Sequence, residues 1–238
     1  MPARVNVRFR LNFDPDCGRD SALSAGAPLY AFTLLVSGIF LLPLLLQSLP
    51  WVRLDIEDIL LCSALPGVCA YALFVPGMLP FRMIDEGDWR LCWLMLILLL
   101  AAVGLSGVIW RKILTVCGID FTAEQMIFTV VKEASRLKLI KLFFALCIFA
   151  PLTEELLFRR IIYGFFLRFG VTAGVFVTQL LFAFCHFFIA GIPGLFILGC
   201  GFQYVYLKRR NLGAAVLLHG MVNTAAFAAA LTERWQLL

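Results

Sequence analysis

Apolar runs about as long as a membrane is thick recur through most of this chain. One of them, from about Leu91 to Trp110, contains no charged residue. A helix of roughly 20 apolar residues crosses the hydrocarbon core of a bilayer, and it satisfies its backbone hydrogen bonds within its own segment. With 62% hydrophobic and 15% charged residues, the composition lies outside that of soluble domains, which are about 45–50% apolar. We therefore predict an all-α fold, a polytopic transmembrane helical bundle.

The positions of the apolar runs predict about eight helices. One of these helices, which crosses the membrane only in part, begins after Thr153. Thr153 is a candidate N-cap for a first turn that holds Glu154 and Glu155. We expect that helix to end near Phe169. The other predicted spans lie at about residues 28–49, 59–81, 91–110, 142–151, 171–190, 192–207 and 212–231.

Charge divides the chain into three regions. Residues 1–27 form a polar tail, residues 28–137 hold the first helices and an amphipathic segment, and residues 138–231 form a helical core. In the amphipathic segment, residues 111–141, Lys and Arg alternate with apolar side chains, as in an interfacial helix. We expect a multi-pass integral membrane protein, located in a bacterial inner membrane.

The basic residues do not indicate nucleic-acid binding, although the net charge is +5. They cluster in short segments between apolar runs, where basic side chains set membrane topology and contact lipid headgroups. The cysteines lie mostly in or near apolar stretches without zinc-type spacing, and we interpret them as buried thiols. We therefore expect membrane lipid as a partner and no nucleic acid, while the orientation of the termini stays open.

Four ionisable side chains interrupt the apolar helices of the C-terminal core. The histidines His186 and His219 are the only two in the chain, and the carboxylates Glu154 and Glu155 are adjacent. An ionised side chain inside a membrane span costs about 2.5–3.5 kcal/mol on insertion scales, so such residues usually face a partner or a cavity and serve a function.

Helical spacing gives the two glutamates different surroundings. Glu155 and Arg159 are four residues apart, which is the favourable order for an ion pair on one helix face. Glu154 projects about 100° away from that face and is left free. We therefore expect Glu155 and Arg159 to be a supporting pair and Glu154 to be an acid or base.

The two histidines each have a partner one helical turn away on the same face. Phe182 precedes His186 and Asn223 follows His219 by four residues. Facing inward from separate helices, Glu154, His186, His219 and Asn223 would form one polar pocket. A water molecule between Glu154 and His186 could attack a peptide carbonyl, with His219 and Asn223 donating to the oxyanion.

These motifs, EExxxR, FxxxH and HxxxN on successive apolar helices, resemble those of the CPBP family of intramembrane proteases. That family includes CAAX prenyl endopeptidases of the Rce1 type. The resemblance covers about residues 138–230 and extends to the flanks, Ala150–Thr153 and Asn211–Ala214. One departure is Arg160, where many relatives carry glycine.

The resemblance implies a role for each motif residue. Glu154 and His186 would activate water, while His219 and Asn223 would stabilise the oxyanion. Glu155 and Arg159 would form the supporting pair, and Phe182 is expected to serve packing. The implied activity is hydrolysis of a membrane-associated peptide or protein substrate, with lipidated substrates among the options, and without a cofactor.

Other interpretations stay open at the level of sequence. The same polar groups could form a proton or substrate relay in a transporter-like protein, or belong to an immunity or scaffold relative without activity. Cys185 suggests a cysteine protease, although it points about 100° away from the adjacent His186. Two histidines and a glutamate also resemble a zinc triad in residue type, but the HExxH motif is absent. We favour metal-free chemistry and leave metal dependence open.

Overall fold

The computed structural model of this protein describes residues 48–49, 58, 82–119, 126–186 and 188–236. These ranges contain six helices and no strand, so the all-helical prediction is confirmed for the described part of the chain. The helices are α1 (Glu86–Val116), α2 (Met126–Glu133), α3 (one continuous stretch from Arg136 to Phe169), α4 (Val171–Phe184), α5 (Ile192–Arg209) and α6 (Leu212–Gln236).

Three helical segments are long and apolar enough to cross a membrane. Within the described ranges they are Glu86–Val116, Ile189–Arg209 and Leu212–Trp235. The predicted count of about eight helices is not confirmed, because the described residues hold six. The predicted spans at 28–49 and 59–81 lie outside the described residues, apart from isolated positions.

Helix α4 is shorter than predicted. It ends at Phe184 after 14 residues, which is about 21 Å of helix and less than the roughly 30 Å hydrocarbon core. The expected span at 171–190 is therefore wrong at its C-terminal end. The chain turns at Cys185 and His186 and resumes as a 3₁₀ turn, Ile189–Gly191, before α5.

The amphipathic segment predicted at 111–141 is not a single helix. Its first residues continue α1 as far as Val116, and its last belong to α3. The division has a local cause, because the hydroxyl of Ser135 accepts a hydrogen bond from the backbone N–H of Lys138 and so caps the start of α3. Residues 120–125 lie outside the described ranges.

A buried carboxylate joins the start of α1 to the turn between α5 and α6. Asp88 is fully buried and accepts hydrogen bonds from Arg209 Nε at 2.5 Å, Arg82 Nη2 at 2.9 Å and Asn211 Nδ2 at 3.3 Å. Two guanidinium groups and an amide offset the cost of burying this charge. The cluster fixes the first residues of α6 against α1, and the sequence reasoning did not identify it.

Asp85 completes this cluster outside the membrane-spanning segments. It caps α1 through a reciprocal capping box with Asp88 and accepts from Arg209 Nη2 at 2.7 Å. The backbone N–H of Asp88 and then the Arg82 guanidinium lower the pKa of Asp85 to about 2. Asp85 is therefore an anion at neutral pH and keeps its partners.

Helix α3 passes through Pro151 without breaking, which overturns two expectations. The span predicted to end at Pro151 and the helix predicted to begin after Thr153 are parts of one helix. Segments with π-type hydrogen bonding, Ala145–Phe149 and Leu156–Ile162, flank the proline-containing turn. The wider π turn makes room for the proline ring. Thr153 is therefore no cap; its hydroxyl donates to Phe149 O at 2.9 Å.

Pro151 and the π segment expose backbone carbonyls of α3 to α6. The proline has no N–H, so it cannot donate to Cys147 O, four residues back, or to Leu146 O, five residues back. Asn223 Nδ2 donates to Leu146 O at 2.8 Å. At Gly220, an added Cβ would lie 2.8 Å from Cys147 O, so glycine permits the close approach of the two helices.

The contact at Gly220 predicts opposite outcomes for two Gly→Ala changes. Gly220→Ala should lower the free energy of unfolding by about 1–3 kcal/mol, because the new methyl group overpacks against a backbone carbonyl. Gly104→Ala in α1, where a Cβ would meet nothing within 4 Å, should be neutral or stabilising by up to about 1 kcal/mol. Denaturation of both variants in detergent, followed by circular dichroism, measures the difference. Equal stability of the two would contradict the close contact.

Candidate active site

The two adjacent glutamates of α3 occupy different environments. Glu155 is completely buried, whereas the side chain of Glu154 is 31% exposed. Their separation follows from the helical rotation between neighbouring residues. One carboxylate is thus enclosed by the protein, while the other lies at the edge of an accessible site.

Glu155 and Arg159 form the ion pair that their spacing predicts. Arg159 Nε donates to Glu155 Oε2 at 2.7 Å, Arg159 Nη2 donates to Glu155 Oε1 at 3.3 Å, and both side chains are fully buried. A buried pair is tolerated when its remaining polar atoms also find partners. Here the Nη1 atom of Arg159 donates to Gln179 Oε1 at 2.6 Å and to Gln203 Oε1 at 3.2 Å.

His219 of α6 is held by the same buried carboxylate. Its Nδ1 lies 3.0 Å from Glu155 Oε1, and an ionised carboxylate only accepts, so Nδ1 carries the hydrogen. The imidazole ring stacks on Phe202, with centroids 4.4 Å apart and planes inclined by 17°. These contacts fix the ring so that Nε2 lies 3.8 Å from Glu154 Oε2.

His186 also presents its Nε2 atom to Glu154. Its Nδ1 is 2.7 Å from the backbone oxygen of Phe182. A carbonyl only accepts, so the hydrogen is again on Nδ1. Nε2 then lies 4.0 Å from Glu154 Oε2, and the His186 side chain is 33% exposed. The turn that ends α4 after Phe184 therefore places this histidine at the site.

The aromatic ring of Phe182 lies beside Arg159 and both histidines. It lies edge-on to Phe158 at 5.1 Å, and its centroid is 4.9 Å from that of His186 and 5.9 Å from that of His219. The guanidinium carbon of Arg159 is 5.6 Å from the ring centroid. Phe182 thus packs against Arg159 and both histidines, consistent with a packing role.

One oxygen of Glu154 is the point where these groups converge. Glu154 Oε2 is buried as an atom and has no hydrogen-bond partner among the described residues. Both imidazole Nε2 atoms lie within 4.0 Å of it. That separation is too long for a direct hydrogen bond. A water molecule among these three polar atoms would have the two to four partners that an ordered water needs.

Asn223 lies one turn after His219, as predicted, and contacts α3. One hydrogen of its amide is engaged by Leu146 O. Among the described residues, no hydrogen bond joins Asn223 to Glu154 or His186. The role of Asn223 as an oxyanion donor, like the corresponding role of His219, stays a prediction.

Sequence reasoning missed three parts of the site. It left Glu155 paired with Arg159 alone, whereas Glu155 also holds His219, and it did not consider Gln179 or Gln203. Both glutamines are buried in apolar helices. A buried amide in a membrane helix is itself a signal, because it must find a hydrogen-bond partner on another helix.

Two alternatives raised by the sequence are a cysteine nucleophile, Cys185, and a metal site. Cys185 is exposed and not part of a disulfide, and it lies in the turn beside His186. Across residues 82–119, 126–186 and 188–236, no three His, Cys, Asp or Glu side chains are arranged to hold one metal ion.

Arg159 and Arg90 each lie four residues after a glutamate partner, but replacing them should cost very different amounts of stability. Arg159→Met should cost about 3–5 kcal/mol, because it leaves Glu155 as a buried charge without its main partner. Arg90→Met should cost under about 1 kcal/mol, because the Glu86–Arg90 pair has both side chains 78% exposed. Thermal unfolding in detergent compares them. Losses of equal size would show that the Glu155–Arg159 pair is not buried.

Comparisons with known proteins agree with the geometry of this region. Residues 136–225 match the family model of the Rce1-like type II CAAX prenyl endopeptidases. Neither the curated proteins nor the solved structures gave a match to the chain. The matched segment begins at the first residue of α3 and ends just after Asn223, so it contains every site residue described above. The resemblance inferred from the three motifs is therefore confirmed: residues 136–225 match the Rce1-like family, a family of membrane-embedded proteases.

Proposed function

We propose that this protein is an intramembrane endopeptidase that hydrolyses a peptide bond of a membrane-associated substrate. The observation that supports this most strongly is the convergence of His186 Nε2 and His219 Nε2 on the unpartnered Oε2 of Glu154. A structural polar cluster in a membrane domain would satisfy its buried acceptor directly. An acceptor without a partner between two imidazoles is instead suited to hold a reactant.

In the proposed reaction, Glu154 and His186 activate the attacking water. With Nδ1–H bonded to Phe182 O, a neutral His186 has a lone pair on Nε2 to accept a proton. The water loses one proton to this pair as its oxygen bonds to the peptide carbonyl carbon. The carbon–nitrogen bond then breaks, and the proton passes to the leaving amine. One water is consumed, and a carboxylate and an amine are released.

His219 has a different proposed task because its Nδ1 hydrogen is already committed to Glu155. Donation from Nε2 to an oxyanion requires a second proton on the ring, and the Glu155 carboxylate lies beside that ring as a counter-ion. We therefore assign His219 as an oxyanion donor, with Asn223 as the second donor one turn away.

The proposed substrate is a peptide or protein segment held at the membrane. Glu154 and His186 are each about one-third exposed, so part of each side chain faces outside the buried core. The family description favours a CAAX-type C-terminus, and a prenylated chain is one such substrate. Action in a bacterial inner membrane, with lipid as the surrounding partner, belongs to the same proposal.

Replacing Glu154 with Gln should reduce kcat at least about 100-fold, because general acid–base catalysis typically contributes 10²–10⁴-fold. His186→Gln should act in the same direction. The measurement is cleavage of a quenched-fluorescence peptide library, with and without a prenylated cysteine, by purified protein in detergent. Glu86→Gln, at an exposed position on α1, is the matched control and should retain wild-type turnover.

Equal turnover by wild type, Glu154→Gln and His186→Gln would exclude the assigned chemistry. Proton uptake coupled to solute transport, lost in the same two variants without any peptidase activity, would favour a relay function instead.

Cys185→Ala should retain turnover within about 2-fold, because the proposed nucleophile is water and not a thiolate. Treatment of the wild-type enzyme with a chelator should likewise leave turnover unchanged. Loss of activity in the alanine variant would indicate thiol chemistry, and loss with the chelator that returns on adding zinc would indicate a metal enzyme.

A further inference from the structure

We propose that Gln179 and Gln203 are positioning residues that act on His219 through Arg159 and Glu155. The catalytic consequence of this inference rests on the proposed function, whereas its structural consequence does not. The two glutamines come from α4 and α5, so they connect three helices of the domain to the imidazole carried by a fourth. Among the described residues, no hydrogen bond joins either glutamine directly to Glu154 or to a histidine.

The argument begins with the hydrogen-bond capacity of Arg159. A guanidinium has five N–H donors in a fixed plane and cannot accept, and Arg159 is 1% exposed. Glu155 accepts from Nε and Nη2, which leaves Nη1 without a carboxylate partner. Gln179 Oε1 and Gln203 Oε1 accept from Nη1. They satisfy donors that would otherwise be buried and unpaired.

Gln179 is itself held in place by its own helix α4 and by Gln203 of α5. Gln179 Nε2 donates to Val175 O at 3.2 Å and approaches Gln203 Oε1 at 3.4 Å, so its oxygen points toward Arg159. On α5, a Cβ added at Gly199 would lie only 2.6 Å from Gln179 Oε1. Glycine at this position leaves the space through which Gln179 reaches the guanidinium.

The remaining hydrogen bonds lead from Arg159 through Glu155 to His219, and each one restricts the orientation of the next side chain. The guanidinium plane, fixed at Nη1, sets the orientation of the Glu155 carboxylate through two hydrogen bonds. Glu155 Oε1 in turn accepts from His219 Nδ1, which selects one tautomer and directs Nε2 toward Glu154. Loss of an acceptor at Nη1 would let the guanidinium turn, and Glu155 would follow it. His219 would then lose the partner that defines its tautomer.

The direct test uses the fact that the chain has only two histidines. The ¹⁵N signals of the two imidazoles in the full-length, histidine-labelled protein report which nitrogen carries hydrogen, and His186→Phe assigns them. In wild type, His219 should show a hydrogen on Nδ1. In Gln179→Met and Gln203→Met, which keep the length of the side chain but lose its acceptor, His219 should show a mixture of tautomers.

Two variants serve as controls for this spectrum. Gln179→Glu keeps an oxygen acceptor for Arg159 and should retain the wild-type tautomer. Thr178→Val changes the neighbouring buried residue, whose hydroxyl has no hydrogen-bond partner among the described residues, and should leave both signals unchanged. If Gln179→Met fails to fold, Gln203→Met carries the test, because its hydrogen bond to Arg159 is the longer one.

The kinetic readout separates positioning from a merely structural role. Both methionine variants should lose kcat about 10–100-fold, as changes to supporting shells do, with KM within about 2-fold of wild type. Unchanged His219 signals with unchanged kcat would overturn the inference, as would an equal loss in Thr178→Val. If both methionine variants change the His219 tautomer but the wild-type protein cleaves no peptide, the positioning network is supported and the proposed function is rejected.

Discussion

Pro151 removes one backbone donor from α3, and the rest of the site depends on how α6 compensates for it. In a membrane, a backbone carbonyl without a partner is costly because lipid offers no donor. Asn223 supplies a donor to Leu146 O, and Gly220 lets α6 approach Cys147 O closely. The same contact sets the register of α6, so that His219, one residue before Gly220, lies opposite Glu155.

A second constraint is the burial of charge. Glu155 and Arg159 are fully enclosed, and such a pair is stable only when its geometry is good and its remaining polar atoms are satisfied. Gln179, Gln203 and His219 complete that set. The arrangement leaves Glu154 as the carboxylate with an unpartnered oxygen, and both histidines direct Nε2 toward it because their Nδ1 atoms are occupied. One helix thus carries a buried, paired carboxylate beside a partly exposed one.

Helical periodicity was sufficient to predict contacts within one helix. It placed Glu155 beside Arg159 and Glu154 on another face, and it predicted the end of α3 at Phe169, before Gly170, whose φ is 101°. It failed where π-type hydrogen bonding replaced the α-helical pattern. A proline usually ends a helix, so the continuity of α3 through Pro151 depended on a π segment that residue pattern does not reveal.

Contacts between helices were the other part that sequence could not predict. Asp88 lies 121 positions before Arg209 in the chain, yet the two are hydrogen-bonded, and Glu155 meets His219 across 64 positions. Such pairs follow from packing, and a single sequence gives no measure of packing. Buried amides such as Gln203 were the available signal, because a polar group in an apolar helix implies a partner elsewhere.

The central claim is that water activated at Glu154, and no protein side chain, attacks the peptide bond. Single-turnover cleavage in ¹⁸O-enriched water, quenched with acid and followed by mass spectrometry of product and intact protein, tests it most directly. The account predicts one ¹⁸O in the new C-terminal carboxylate and an unchanged protein mass at every time point. A protein mass increased by an acyl fragment during turnover, on Cys185 or any other residue, would contradict it.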